Sequence, residues 1–400
     1  MRILVQKFGG TSVASRESRL AAVRHVERAL AEGYRVVVVV SAMGRKGDPY
    51  ATDTLLSAVD ETDAVGKREL DILMSCGETI SAVVFASLLR SRGHEVSVLT
   101  GAQAGIVTNN QYGDARILEV RPERILEALE RGCVVVVTGF QGVTLDGDVT
   151  TLGRGGSDTT ATALGVALGA EYVDIFTDVD GIMTADPRIV EDARRLRRVT
   201  YTEICNLAYQ GAKVIHPRAV EIAMQKNVPI RVRSTHSDDE GTLVTSATTS
   251  LESGALSDRF VTGITQAASF AQLVMDGPEL PYGRIFVETA RRGISLDFIY
   301  VSQDRVAYTV PERDAPAAIA IVRELGIEPR VVPDCARVAV VGAGIAGVPG
   351  IMAKIVSALE EEGVEILQSA DSHTTIWCLV RRPDMERAVR ALHRAFELSQ

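Results

Sequence analysis

The sequence predicts an α/β protein in two parts. A mainly parallel sheet sandwiched by helices is expected over residues 1–246, then a linker at 247–259, then two ferredoxin-like βαββαβ modules at 260–332 and 333–400. Three observations carry this reading. Short, nearly unbroken apolar runs recur through the first part, the pattern of strands buried on both faces. Helix-patterned stretches separate them, and strand–helix alternation builds layered α/β domains. Beyond residue 260 a β-α-β-β-α order occurs twice, which marks an internal duplication.

The expected strands of the first part are ILVQKF (3–8), VVVVVSAM (36–43), VSVLT (96–100), CVVVVTGF (133–140), YVDIFT (172–177) and PIRVRS (229–234). Between the first two, Leu20, Val23, Val26 and Leu30 share one helical face, and Gly33 is placed to end that helix. Ala161, Leu164 and Leu168 repeat the spacing behind Ser157 or Asp158 as N-cap. TSATTSLESGALSD (245–258) is small, polar and weakly patterned, so it reads as a linker. The first repeat then runs RFVTGITQ, AQLVMD, helix GRIFVETARRG, strands SLDFIYV and VAYTV, and helix DAPAAIAIVRELG. The second runs strand RVAVVGAG, helix PGIMAKIVSALEEEG, strands VEILQSA and TIWCLV, and helix DMERAVRALHRAF.

Composition narrows the function classes. Hydrophobic residues make up 46% and charged residues 24%, enough for a sizeable core. The net charge of −9 argues against broad nucleic-acid binding, which needs many phosphate contacts. The basic cluster Arg194, Arg195, Arg197 and Arg198 reads as a solvated surface. Five cysteines, odd in number and without C-x-x-C, read as reduced core residues of a cytoplasmic protein, with no zinc site. The N-terminal MRILVQKFGG runs straight into a glycine turn, unlike a signal peptide, and the unbroken apolar runs fall short of a membrane span. No nucleic-acid or membrane partner is expected.

Several stretches carry chemistry. VAVVGAGIAGVPG (338–350) holds Gly342, Gly344 and Gly347 spaced as G-x-G-x-x-G, the dinucleotide fingerprint. Only 53 residues follow Gly347, too few for the rest of a dinucleotide-binding half, so a dehydrogenase is the remote reading. VQKFGGTS (5–12) ends a strand with Lys7 and turns at Gly9 and Gly10, suiting close approach of an anion; a tight turn with a surface lysine has the same pattern. TTLGRGGSDTT (150–160) delivers Arg154, Ser157 and Asp158 to a helix start. Arg154 suits bidentate pairing with a carboxylate, while Asp158 also fits a simple cap. Thr177, Asp178, Asp180 and Asp186 in FTDVDGIMTADPR fit metal chelation, nucleotide contact or ordinary turns. Glu78 sits at an expected helix start and Lys213 beside another, while His216 before Pro217 reads as structural.

The combination is specific. KFGGTSV, VVVVVSAMG, YATDTLL, SCGETIS, GFQGV, TTLGRGGSDTTA, DVDGIMTADPR and GAKVIHPRAVEIA occur in this order, and two C-terminal modules follow. This resembles the aspartate kinase family: the amino-acid kinase fold followed by two ACT modules, over essentially the whole chain. SAMGRKGDPYATD and SADSHTTIW further resemble the class inhibited by meso-diaminopimelate. The resemblance implies transfer of a phosphoryl group from ATP, with Mg²⁺, to L-aspartate. Lys7 would contact the ATP phosphates, with Phe8, Gly9 and Gly10 forming the turn around them. Ser41, Thr52 and Glu78 would line the aspartate site, Glu78 facing the α-ammonium. Arg154 would grip a substrate carboxylate with help from Ser157, and Asp158 would be the catalytic carboxylate that orients the lysines. Thr177, Asp178 and the 182–187 turn (Ile182, Met183, Asp186, Pro187) would hold the nucleotide, with Lys213 and Val214 near its phosphates. No protein side chain is assigned to a metal.

The ACT resemblance implies an amino-acid effector, meso-diaminopimelate first and lysine or threonine next, bound between modules of a homodimer. Its candidate residues are Asp276, Gly347, Val348, Asp371, Ser372 and His373. The resemblance also leaves rivals: acetylglutamate, glutamate or uridylate kinases on the same fold, and a regulatory binding protein with an inactive kinase domain.

Overall fold

The computed structural model describes residues 1–60, 64–212, 214–246, 260–345 and 347–400. The expected linker at 247–259 and Lys213 lie outside the described residues. The chain divides into two compact units.

The first unit takes the described residues of Met1–Ile182, Arg195–Ala208 and Lys213–Ser257. In chain order it begins with β1 (Ile3–Phe8), α1 (Gly10–Ala14), α2 (Arg16–Ala31), β2 (Arg35–Val40), α3 (Thr52–Leu56), α4 (Lys67–Ser91), β3 (Val96–Leu99), β4 (Ile106–Thr108) and β5 (Ile117–Val120). It continues with α5 (Glu123–Glu130), β6 (Val134–Thr138), β7 (Gln141–Val143), β8 (Val149–Thr151), α6 (Gly156–Leu168), β9 (Tyr172–Thr177), β10 (Arg198–Thr200), α7 (Tyr201–Tyr209), α8 (Pro217–Met224), β11 (Ile230–Ser234) and β12 (Thr242–Thr245). Eight strands form one sheet in the order β10-β12-β11-β9-β1-β2-β6-β3. The six apolar runs of the sequence are its six mutually parallel strands. They are apolar on both faces because both faces are covered.

On one face α2 and α4 bury Val23, Val26, Ala82, Phe85 and Leu89 against Leu4, Val36, Val38 and Val136. Ser15 caps α2 by accepting from the Ser18 N–H at 3.0 Å, and Gly33 follows its end in the left-handed region. Phe8 lies stacked between Phe85 and Phe176, with centroids 5.6 and 4.8 Å away. The 25-residue α4 is long and apolar enough to cross a membrane by length and composition, although no single apolar run is. In this fold it is an amphipathic core helix. Cys76 is exposed on it and only Cys335 and Cys378 are buried, so the expectation of five core cysteines fails at the others; all five thiols are unpaired.

The second unit takes the described residues of Met183–Arg194, Tyr209–Ala212 and Asp258–Gln400. Its elements are β13 (Gly263–Asp276), α9 (Tyr282–Arg291), β14 (Asp297–Val301), β15 (Arg305–Pro311), α10 (Ala315–Glu324), β16 (Arg330–Val341), α11 (Ile351–Glu361), β17 (Gln368–Asp371), β18 (Thr375–Arg381) and α12 (Met385–Ala395). The two repeats share one antiparallel sheet, in the order β14-β15-β13-β16-β18-β17.

The linear division at 332/333 does not describe this sheet. β13 is bent at a register shift near Phe270, with Ser269 at φ 71°. Its first half, 263–268, pairs with 336–341, and Ile264 packs into the core of the second repeat with Val338, Ile355 and Leu392. Its second half packs Ala271, Leu273 and Met275 into the first repeat. The second repeat thus takes its fourth strand from 263–268, while the first builds its four from its own chain, 270–276, 297–301, 305–311 and 330–332.

Residues 183–194 also depart from the expected continuous domain over 1–246. Ala185 and Val190 bury in the second repeat's core, and Thr184 Oγ1 lies 3.0 Å from the buried His393 Nε2.

Candidate active site

The carboxyl ends of β9, β1, β2 and β6 lie side by side, with β1 between strands that come later in the chain on either side. Such a reversal of strand order opens a crevice where ligands bind in α/β sheets. The loops leaving these strands interlock. Ser41 N–H donates to the Phe8 carbonyl at 3.1 Å, Gly44 N–H to Gly10 at 3.0 Å, and Gly139 N–H to Val40 at 2.9 Å. A β-carbon on Gly10 would sit 2.5 Å from the Gly44 carbonyl oxygen, so only glycine lets these loops meet.

Lys7, near the end of β1, places Nζ 2.7 Å from Asp158 Oδ1, with both side chains about nine-tenths buried. The expectation that Ser157 or Asp158 caps α6 is corrected. The cap is Gly155 at φ 68°, and Ser157 and Asp158 sit inside the first turn. Asp158 is therefore free to reach Lys7. Its other oxygen faces the His216 N–H at 3.4 Å. His216 is structural, as expected: it caps α8, its Nδ1 accepting from Arg218 N–H at 3.3 Å, and burial lowers its pKa. Ser157 is buried against Gly139, where a β-carbon would lie 2.8 Å from Ser157 Oγ.

Arg154 is exposed and has no ion pair among the described residues. Its loop is held from behind by two residues that sequence reading missed. Asp71, fully buried on α4, accepts from Thr151 N–H (2.8 Å), Thr151 Oγ1 (2.7 Å) and Gly113 N–H (3.0 Å). Arg218 donates to the Leu152 carbonyl at 3.0 Å and the Ala115 carbonyl at 2.7 Å. Phe140 was missed too. It sits just beyond β6 at φ 70°, a strained value for a bulky residue, and its N–H donates to Thr160 Oγ1 at 3.1 Å. Nothing in GFQGV announces that conformation.

Glu78 is 2% exposed in the middle of α4, not at a helix start. Its Oε1 accepts from Ala42 N–H at 3.0 Å, while its buried Oε2 has no hydrogen-bond partner among the described residues. Burial pushes its pKa up to about 8, against the opposing effect of the Ala42 bond. A buried carboxylate with a bare oxygen is a seat for a cation. Ser41 and Thr52, both half-buried, follow β2 and begin α3 respectively.

At the end of β9, Thr177 Oγ1 accepts from Val179 N–H at 3.0 Å, and Asp178 pairs with Arg45 at 2.6 Å, both exposed. Ile182 is buried, its N–H donating to Thr242 Oγ1 at 2.9 Å. Met183, Asp186 and Pro187 belong to the second unit, so the expected turn is divided. Asp186 is engaged by Arg188 at 2.7 Å and Gln266 at 3.2 Å, and the Arg188 bond holds its pKa down. Val214 is half-buried. The Phe8 side chain is core, and its carbonyl is the one that accepts from Ser41 N–H. Among the described residues no group of three or more His, Cys, Asp or Glu is placed to hold a metal ion.

The effector candidates do not converge within one chain. Asp276 pairs with Arg305 at 2.5 Å, at the end of β13 where it meets β15. Asp371, Ser372 and His373 join β17 to β18, beside Val341 and so at the opposite end of β13, where Gly263 lies. Gly347 is left-handed at φ 78°, and Val348 N–H donates to Ile345 at 3.3 Å.

Comparison with known proteins agrees with this geometry. The amino acid kinase family matches residues 2–234 and the ACT domain residues 330–394. Aspartokinase 1 of Bacillus subtilis is 56% identical over 100% of both chains. The aspartokinase of Geobacillus stearothermophilus is 39% identical over 100% of this chain and 98% of its own. Among solved structures, E. coli aspartokinase III in complex with aspartate and ADP superposes with a TM-score of 0.79 at 26% identity, covering 98% of this chain and 99% of that one. Its complex with lysine and aspartate gives 0.74 over the same shares. The two-unit fold, the Lys7–Asp158 pair at the head of the sheet and these full-length likenesses together mean that the chain belongs to the aspartokinases of the amino acid kinase family.

Proposed function

We propose that the protein transfers the γ-phosphoryl group of MgATP to the β-carboxylate of L-aspartate, giving 4-phospho-L-aspartate and ADP. This is the first step toward lysine, diaminopimelate, methionine and threonine. The Lys7–Asp158 pair carries the reading: a nearly buried ammonium, held by a carboxylate, beside a glycine turn at the carboxyl edge of a parallel sheet. A β-carbon on Gly9 would lie 3.3 Å from Lys7 Nζ, so glycine keeps the approach to the ammonium open for phosphate.

A carboxylate oxygen of aspartate forms the new bond to γ-phosphorus while the bond to the β,γ-bridging oxygen breaks, and ADP leaves with that electron pair. The nucleophile is ionised at neutral pH because its pKa is about 4, so no general base is needed. The chain's work is positioning and charge neutralisation. Lys7 faces the moving phosphoryl group and Asp158 fixes its direction. Arg154 grips the α-carboxylate with Ser157, and Glu78 Oε2 takes the α-ammonium, with Ser41 and Thr52 beside it. Thr177, Asp178, Ile182, Lys213 and Val214 serve the nucleotide. Magnesium arrives as the counter-ion of the phosphates.

We also infer feedback inhibition through the ACT region, in a cytoplasmic homodimer, with meso-diaminopimelate as effector ahead of lysine and threonine. The duplicated ACT sheet supports regulation by an amino acid, and the separation of Asp276 from Asp371 to His373 within one chain supports a site completed by a second copy. Purified protein with MgATP, aspartate and hydroxylamine should form aspartyl hydroxamate; none forming overturns the kinase reading. Titrating the three amino acids in that assay decides the effector, and indifference to all three ends the regulatory reading.

A further inference from the structure

A buried hydrogen-bond chain joins the turn that follows β1 to the end of β9. Ser12, in α1 two residues past Gly10, places Oγ 2.6 Å from Thr235 Oγ1. Thr235, just past β11, places the same Oγ1 3.3 Å from the Thr177 carbonyl, and its N–H donates to that carbonyl at 3.0 Å. His25 Nε2 lies 3.0 Å from the Thr235 carbonyl oxygen. Ser12, Thr235 and His25 are each at most 5% exposed, and of the site residues assigned above the chain bonds Thr177, through its carbonyl.

The proton directions at the carbonyls follow from the atoms. Either hydroxyl of the Ser12–Thr235 pair can donate to the other, whereas a carbonyl only accepts, so the Thr177 carbonyl takes the Thr235 N–H and lies within reach of the Thr235 Oγ1–H. For the same reason His25 carries its proton on Nε2. Burial lowers the His25 pKa to about 4, so the ring is neutral at pH 7 with Nδ1 bare. Its ring packs 4.4 Å from that of Phe176, which fixes its plane. The chain is thus continuous, linking Ser12 through Thr235 to the Thr177 carbonyl, with His25 bonded to the Thr235 carbonyl.

We propose that Ser12, Thr235 and His25 are positioning residues for the nucleotide: they lock the Gly9–Gly10 turn and Thr177 into one register, so that the phosphate end and the β9 end of the site move as a unit. The inference rests on the nucleotide reading of these loops. Thr235 is the hinge of the set because it touches both sides.

The test uses the full chain and ADP as probe. Thr235→Val keeps the shape and removes the hydroxyl. It should weaken ADP binding in calorimetry, and raise KM for ATP, by about tenfold, while KM for aspartate moves by less than about twofold. Thr235→Ser, which retains the hydroxyl, should restore ADP affinity to within about threefold of the parent. Ser12→Ala should act in the same direction as Thr235→Val, and it carries the test if the valine variant does not fold. ADP affinity within about twofold of the parent in the folded variants overturns the proposal. An equal loss for aspartate and ADP also overturns it, since that marks a general structural role. If the parent protein itself binds no ADP, the nucleotide reading fails first, which is a different result.

Discussion

Lys7 Nζ and Asp158 Oδ1 stand 2.7 Å apart although 150 residues of chain separate them. The pair closes β1 onto the first turn of α6, and it points one ammonium into the crevice at the head of the sheet. Replacing Lys7 with alanine should lower kcat by about 10²–10³-fold, the scale for removing one preorganised charge from a transition state. Asp158→Asn should cost less, because the amide oxygen still accepts from Lys7. Hydroxamate formation measures both, and a near-parental rate for Lys7→Ala removes it from the mechanism.

Arg154 offers a different signature. It is exposed and unpaired among the described residues, so removing it leaves no buried charge behind. Arg154→Ala should leave the melting temperature unchanged and lower kcat/KM for aspartate by about 10²-fold, with ADP affinity preserved. Arg154→Lys should recover only part, since an ammonium cannot form the bidentate fork.

Glu78 makes the site pH-dependent. Its folded pKa lies near 8, above its ordinary value of 4.5. Between those values the folded state binds more protons than the unfolded one, so this group's contribution to stability is full below about pH 4 and is lost as pH rises toward 8. Glu78→Gln should therefore melt at a higher temperature than the parent at pH 8 and at nearly the same temperature at pH 4. Aspartate binding runs the other way, because the ammonium needs the ionised carboxylate. KM for aspartate should fall as pH rises through about 8, and the glutamine variant should bind aspartate weakly at every pH. A flat KM profile in the parent would mean that Glu78 does not meet the ammonium.

Gly10 and Gly283 test the packing. A β-carbon at Gly10 would meet the Gly44 and Ala42 carbonyl oxygens at 2.5 and 2.9 Å, and both are backbone atoms that cannot swing away. Gly10→Ala should destabilise the protein by about 1–3 kcal/mol and lower turnover. Gly283 lies in α9 with no atom of the described residues within 4 Å of such a carbon. Gly283→Ala should be neutral or stabilising by up to about 1 kcal/mol. Thermal melts of the two variants decide it.

Much of the architecture was legible. All six apolar runs of the first part are strands, and YVDIFT spans the same residues as β9. The small sheet β5-β4-β7-β8 was not, because strands of three or four residues carry too little periodicity to register. Most candidate residues of the site were readable as motifs at strand and helix ends. Asp71, Arg218 and Phe140 were not, since their roles come from partners distant in sequence or from a backbone twist.

Local periodicity and local steric freedom set the layered α/β class, the order of strands and helices and the glycine turns, and all three can be read along the chain. Which side chains meet depends on how distant segments pack. Asp158 fits a helix cap or a lysine partner equally well until β1 is laid beside α6. Glu78 looks like an ordinary helical glutamate until burial beneath Ala42 strips it of water. The 263–276 strand reads as part of one repeat, yet it is divided between two, because strand 336–341 of the second repeat leaves an open edge that 263–268 covers.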